Sequence, residues 1–347
     1  MTRLRTSAAV LGLMIGVLAV APAHAWKRGT VQTLATVPDN SVEGLTVGPD
    51  GNIYVTTFGF NSNGAVDGPS VLFAFSPNGK QITKVNIANS SPHTLGLGFN
   101  PVSHDLLVLD FGAGMVLKVD PHTGQSSVFM GPIANSGLNA LTFDKAGNVY
   151  VSDSFNGKIW KTGPGGGVPT PWSSDPLLGN GGGTLTPPFG ANGIEFNNAG
   201  TVMYVANTAF HQIIKIPVSS GGAGAASIFI TGINAPDGIA IDRADNLWIC
   251  ANQEDEIVVT DTTGKVIAKL GDFRGIDPSG FPRGLLFPAS LAFSNDHSTL
   301  YVTNLTLNLP FAGAQAAIDS AWTLQAKGST ISKLQARIPP FPDDNEQ

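Results

Sequence analysis

A short segment recurs six times along this chain, and that recurrence limits the fold more than any other feature. The copies are Glu43-Gly-Leu-Thr-Val, Leu95-Gly-Leu-Gly-Phe, Asn139-Ala-Leu-Thr-Phe, Asn192-Gly-Ile-Glu-Phe, Asp237-Gly-Ile-Ala-Ile and Ala289-Ser-Leu-Ala-Phe. Their leading residues, 43, 95, 139, 192, 237 and 289, are 44 to 53 positions apart, a spacing typical of propeller blades. After a turn, each copy leads into a second apolar run, as in Asn-Ile-Tyr-Val-Thr, Asn-Val-Tyr-Val-Ser and Asn-Leu-Trp-Ile-Cys. The expected fold is all-β: a six-bladed β-propeller of four short strands per blade. The last blade is short of one strand, and Val31 to Val37 is the segment available to supply it. Strand exchange of this kind joins the chain ends and removes exposed sheet edges.

Composition agrees with this. Charged residues make up 13% of the chain, beside 42 Gly and 24 Pro, which suits many tight turns. Residues 1–25 read as a secretory signal: Arg3 and Arg5, an apolar run from Ala8 to Val20, then Ala23-His24-Ala25 as a cleavage site. The mature chain then begins near Trp26 and is exported, to the periplasm or the medium. A single domain is expected over 26–337, with a loose tail over 338–347. Losing Arg3 and Arg5 moves the formal charge from -6 to -8, which argues against nucleic acid or an anionic membrane as partner. No second apolar stretch is long enough to span a bilayer. The one cysteine, Cys250, lies in an apolar strand and reads as a buried, inert thiol.

Four of the six leading residues carry an oxygen ligand: Glu43, Asn139, Asn192 and Asp237. Any one of them alone reads as a turn residue. Leu95 and Ala289 at the same register show that the fold does not require polarity there. Around a ring the four converge, offering two carboxylates and two amide oxygens to a hard cation, Ca2+ or another divalent ion. A second set, Asp110, Asp153, Asn207 and Asn304, closes the second strands and reads as turn caps. His93, in Ser-Pro-His-Thr-Leu, falls on the ligand side and is a candidate general base. His211 is a weaker pocket candidate, and His104 and His297 fall at the short turns. The long connections fall at the ligand end and carry Phe58, Phe60, Trp172, Phe189, Phe287 and Phe311. They point to a small apolar or aromatic substrate.

These motifs resemble the gluconolactonase and regucalcin (senescence marker protein) superfamily of six-bladed propellers, which includes paraoxonase and diisopropylfluorophosphatase. The resemblance rests on Glu43 in the first blade, Asn139 in the third, Asn192-Gly-Ile, and Pro236-Asp237-Gly238. Pro92-His93 is similar to the Pro-His of paraoxonase's catalytic histidine. Ala140 departs from the family, which often has Asp there. The resemblance implies Ca2+-dependent hydrolysis of a lactone, ester or phosphotriester, with Glu43, Asn139, Asn192 and Asp237 on the metal. Asp237 would be base or nucleophile, assisted by His93. The competing reading is a non-catalytic propeller, since the repeats are also similar to NHL and strictosidine-synthase-like proteins, many of which bind or scaffold.

Overall fold

The structure, a computed structural model, describes residues 29–183, 188–308 and 320–338. The expected leader over 1–25 lies outside the described residues, as do Phe311 and the tail beyond residue 338. Within the described residues the chain is all-β. The one α-helix is the single turn Ser320–Thr323, and short 3-10 turns occur at Pro176–Leu178 and Gly181–Gly183.

The strands form four-stranded antiparallel runs that meander outward. The clearest is Pro236–Ile241, Leu247–Ala251, Glu256–Thr260 and Val266–Leu270. Val42–Val47, Ile53–Thr57, Val71–Phe75 and Gln81–Asn86 repeat it. Two further runs, Thr94–Phe99 to Ser126–Met130 and Leu138–Phe143 to Gly166–Ser173, join at their outer edges through one parallel pair, Met130 with Gly167, giving an eight-stranded sheet. Sequence reasoning does not anticipate that junction. Ala191–Phe196 begins a further sheet that ends at Ser227–Thr231. The sheet of Pro288–Phe293 and Thr299–Asn304 continues with Gly328–Gln335 and then Gln32–Pro38 from the start of the chain.

The first strands pack side by side in a propeller-like arrangement. Val42–Val47 touches Thr94–Phe99, which touches Leu138–Phe143, and so on through Ala191–Phe196, Pro236–Ile241 and Pro288–Phe293, the last of which returns to Val42–Val47. Between neighbouring sheets lies an apolar layer. Trp248, Cys250, Ile257 and Val259 pack against Leu291, Leu300 and Val302 in one of them. Burying each such side chain stabilises the fold by about 1.5–3 kcal/mol.

A repeated bracket fixes the hairpin between first and second strands. In Asp50-x-Asn52-x-Tyr54 the carboxylate accepts from the Asn52 N–H (3.1 Å) and from the Tyr54 hydroxyl (2.8 Å). Asp144 accepts from Asn148 and from the Tyr150 hydroxyl (3.1 Å). Asp242 accepts from Asn246 and from the Trp248 indole N–H (3.0 Å). The bracket seats the large aromatic of the second strand, and Trp248 is 1% exposed. Asp242→Ala leaves that indole N–H buried without an acceptor, so the expected loss is about 1–3 kcal/mol in denaturant unfolding. A variant as stable as wild type would show that the bracket contributes nothing.

Candidate metal centre

Every first strand slips register at the same place. Pairing with the second strand shifts between Val42 and Leu45, Thr94 and Leu97, Leu138 and Leu141, Ala191 and Ile194, Pro236 and Ile239, and Pro288 and Leu291. Each slip brackets the leading residue of the repeat. A bulge turns its extra residue out of the ladder and re-aims the side chain. In four repeats a glycine follows the leading residue, Gly44, Gly96, Gly193 and Gly238, with Ala140 and Ser290 in the other two, and at the glycines adjacent strands approach closely. A Cβ on Gly193 would lie 2.3 Å from the Asp237 carbonyl oxygen, and one on Gly44 would lie 2.0 Å from that of Leu95. Only a residue without a side chain fits there.

The candidate ligands are nearly closed off from solvent, at 6% exposure for Glu43, Asn139 and Asp237 and 4% for Asn192. Burial drives the Glu43 carboxyl well above the usual carboxylate range, and the charge of Asp237 adds to the rise. Burial likewise pushes Asp237 up to about 7, against hydrogen bonds from Asn252 and Asn192 that pull it down. The structure therefore brings Glu43, Asn192 and Asp237 together, with Asn139 on the strand beside Asn192. Cys250 sits near the two carboxylates. Burial first, then Asp237 and Glu43, raise its thiol well above its ordinary value, so it is the inert thiol expected.

A relay of hydrogen bonds holds the polar members. Asn139 Nδ2 donates to Ser154 Oγ (3.3 Å), and that hydroxyl donates to the Ala191 carbonyl (2.7 Å), one residue before Asn192. Asn192 Nδ2 donates to Thr208 Oγ1 (3.0 Å), and that hydroxyl donates to the Pro236 carbonyl (2.7 Å), one residue before Asp237. Asn252 Nδ2 donates to Asp237 Oδ2 (2.8 Å) and is itself held by Gln253 Nε2 (2.7 Å). Sequence reasoning misses Ser154, Thr208, Asn252 and Gln253. The signal was present: Ser154, Thr208 and Asn252 share one register, directly after the second strands.

At that same register the other repeats have Phe58, Phe111 and Leu305, and these are apolar. They join Phe60, Leu95, Phe287, Ala289 and Leu307 in one cluster. The ring is thus divided into a polar side and an apolar side. Aromatic contacts continue along the mouth from Phe58 to Phe111 (5.8 Å), to Phe155 (5.5 Å) and to Phe189 (5.9 Å). Trp172, expected at the mouth, instead packs on Tyr150 and Phe196 between sheets. Its indole N–H finds the Gly221 carbonyl.

His93 lies at the apolar side. Its Nδ1 is 2.6 Å from the Phe58 carbonyl oxygen and its ring stacks on Phe60 at 4.9 Å. Nδ1 therefore carries the proton and Nε2 is left as the acceptor. Among the described residues no hydrogen bond links His93 to the four candidate ligands. Asp110 fixes the loop before it, accepting from the Ser91 N–H (2.8 Å) and hydroxyl (2.5 Å). Asp153 accepts from the Gly137 N–H, Asn207 donates to Leu177 and Gly179, and Asn304 accepts from the Leu286 N–H. This second polar set is a ring of caps. His211 accepts the Ala235 N–H at Nδ1 (2.9 Å) and so braces the approach to Asp237. His104 and His297 occupy tight turns with positive φ.

The donor set fits a hard cation. Glu43 Oε2 and Asp237 Oδ1 are buried with no hydrogen-bond partner, a costly state for two carboxylates unless a cation or a proton meets them. Two carboxylates balance a +2 charge and the two amides can add neutral oxygens. Among the described residues no group of three or more His, Cys, Asp or Glu side chains forms a metal site, as follows from a quartet that is half amide.

Residues 186–271 match the SMP-30/Gluconolactonase/LRE-like region. That stretch holds Asn192-Gly-Ile and Pro236-Asp237-Gly238. No curated protein sequence matches the chain. The fold is similar to a gluconolactonase from Xanthomonas campestris (13% identity over 88% of this chain and 89% of that one, TM-score 0.60). It is similar also to regucalcin, a calcium-binding protein from Agrobacterium tumefaciens (18%, 90% and 97%, TM-score 0.62). A virginiamycin B lyase from Staphylococcus aureus shares it at 16% identity (80% and 83%, TM-score 0.54). At such identities the likeness speaks for the fold.

The raised carboxyls set the direction of a pH effect. Unfolded carboxyls titrate near about 4, so the metal-free fold is favoured below that pH and loses the contribution as pH rises through about 7. With the metal chelated, the melting midpoint is expected to fall between pH 5 and pH 8, and saturating Ca2+ is expected to restore it at pH 8. A midpoint that rises over this range, or is indifferent to Ca2+, would contradict the assignment.

Proposed function

We propose that this chain is an exported, Ca2+-dependent hydrolase of a lactone, ester or phosphotriester. The observation that carries the reading is the pair of buried carboxylate oxygens without partners, Glu43 Oε2 and Asp237 Oδ1. The cyclic contact of the first strands, and the pairing of Gln32–Pro38 with Gly328–Gln335, support a ring of six blades closed by the N-terminal strand. The match over residues 186–271 and the fold shared with a gluconolactonase support a lactone among the candidate substrates. The basic, apolar, small-residue order of residues 1–25 supports export to the periplasm or the medium.

In this reading Glu43, Asn139, Asn192 and Asp237 hold the ion. When bound it would polarise a carbonyl or phosphoryl oxygen and offset developing charge. The remaining work falls to the chain. Asp237, fixed through Asn252, is suited to take a proton from water or to attack directly. His93, with Nε2 free to accept, serves as the assisting base at the apolar wall. The cluster of Phe58, Phe60, Phe111 and Leu305 excludes water and receives an apolar or aromatic substituent, which selects against highly hydroxylated substrates.

A panel of lactones, aryl esters and phosphotriesters, assayed with Ca2+ and with chelator, tests the proposal. Turnover of at least one class should require Ca2+, and Asp237→Asn should lower kcat by about 10²–10⁴-fold. The same panel applied to His93→Gln should show a loss in kcat with little change in metal affinity. No turnover across the panel, or full metal-dependent activity in a Glu43→Gln/Asp237→Asn protein, would overturn it.

A further inference from the structure

The axis is also lined below the quartet, from Gly193 and Gly238 at the next position along the strands to Phe196 and Phe293. There the first strands enclose a cavity of about 370 Å3, within the size range of small-molecule sites. Three positions after the leading residue, the strands carry Thr46, Gly98, Thr142, Glu195, Ala240 and Ala292 around this cavity. Glu195 is the one charged residue among those lining it.

That carboxylate is held in place but not neutralised. Its Oε1 accepts from the Thr142 hydroxyl (2.8 Å) and from the Phe196 N–H (2.8 Å). No Lys, Arg or His among the described residues forms an ion pair with it, and no donor among them reaches Oε2. Burial pushes its carboxyl up to about 7, against those two hydrogen bonds. A fixed carboxylate in a low-dielectric channel attracts a positive charge. The rest of the wall then decides which cation fits. Phe99, Phe143, Phe196 and Phe293 line the cavity, and aromatic rings favour alkylammonium ions. One carboxylate with a few hydroxyls falls short of the six to eight oxygens a calcium ion takes.

We propose that this end of the channel is a second ligand site and that it takes a small organic ammonium ion, with Glu195 as the counter-charge. Glu195 stands three residues beyond Asn192 on the same strand, and the site does not depend on the proposed hydrolase activity. If Glu195 were only a brace between neighbouring strands, replacing it would lower stability and leave no binding to lose.

The test is calorimetric titration of the full mature chain with benzyltrimethylammonium at pH 8, in the presence of Ca2+. Wild type should bind one equivalent saturably. Glu195→Gln, which keeps the Thr142 contact, should weaken binding by about tenfold or more. Ala292→Leu, on a different strand of the cavity wall, narrows the cavity and should also weaken binding, which keeps the test decisive if Glu195→Gln folds poorly. Absence of saturable binding in wild type would overturn the proposal, as would equal binding in a folded Glu195→Gln protein or in Ala292→Leu.

Discussion

Two like charges held at one buried point set the terms for the rest of this structure. Glu43 and Asp237 come from distant parts of the chain, yet each carboxyl is raised in the surroundings they share. A fold would not gather such a pair for stability, because buried charges cost more than they return unless paired. The surrounding architecture is arranged to impose it. The register slip turns each leading side chain out of the ladder, and the glycines that follow let the strand backbones close in. Hydroxyls from second strands lock those backbones, with Thr56 donating to the Leu95 carbonyl (2.7 Å) and Thr303 to that of Glu43 (2.5 Å). The strain of a charge pair is thus met by backbone contacts that each strand makes with the next.

The ring also divides into two environments. The polar side is a relay from Asn139 through Ser154, Asn192 and Thr208 to Asp237 and Asn252. The apolar side covers Leu95 and Ala289 with Phe58, Phe60, Phe287 and Leu305. Glu43 stands where the two meet, which accounts for burial as the first cause of its raised carboxyl. On the proposed reading, a site with charge on one side and aromatic surface on the other takes a substrate with one polar reacting group and an apolar body. The lower end of the same axis repeats this economy, with Glu195 set among phenylalanines.

Much of this was legible in the sequence, because the repeat sets both periodicity and register. The shared register of Glu43, Asn139, Asn192 and Asp237, and the capping residues Asp110, Asp153, Asn207 and Asn304, could be read from spacing. Other features could not. The register slip depends on pairing with a partner strand and leaves no mark on residue type beyond the glycines. The parallel pair of Met130 and Gly167 joins segments with no shared pattern. Trp172 borders a long connection in sequence, but it lies in the outer strand Gly166–Ser173 and packs on Tyr150 and Phe196 between sheets. Ser154, Thr208, Asn252 and Glu195 stand out in the sequence only when the six segments are compared at registers beyond the leading one.

On the proposed reading Glu43 and Asp237 are gathered for a cation. Calorimetric titration of the chelator-stripped protein with Ca2+ tests it most directly. One equivalent should bind to wild type, with affinity lost in Glu43→Gln and in Asp237→Asn. Calcium binding that survives both substitutions, or a wild-type protein that binds no divalent ion, would contradict the account.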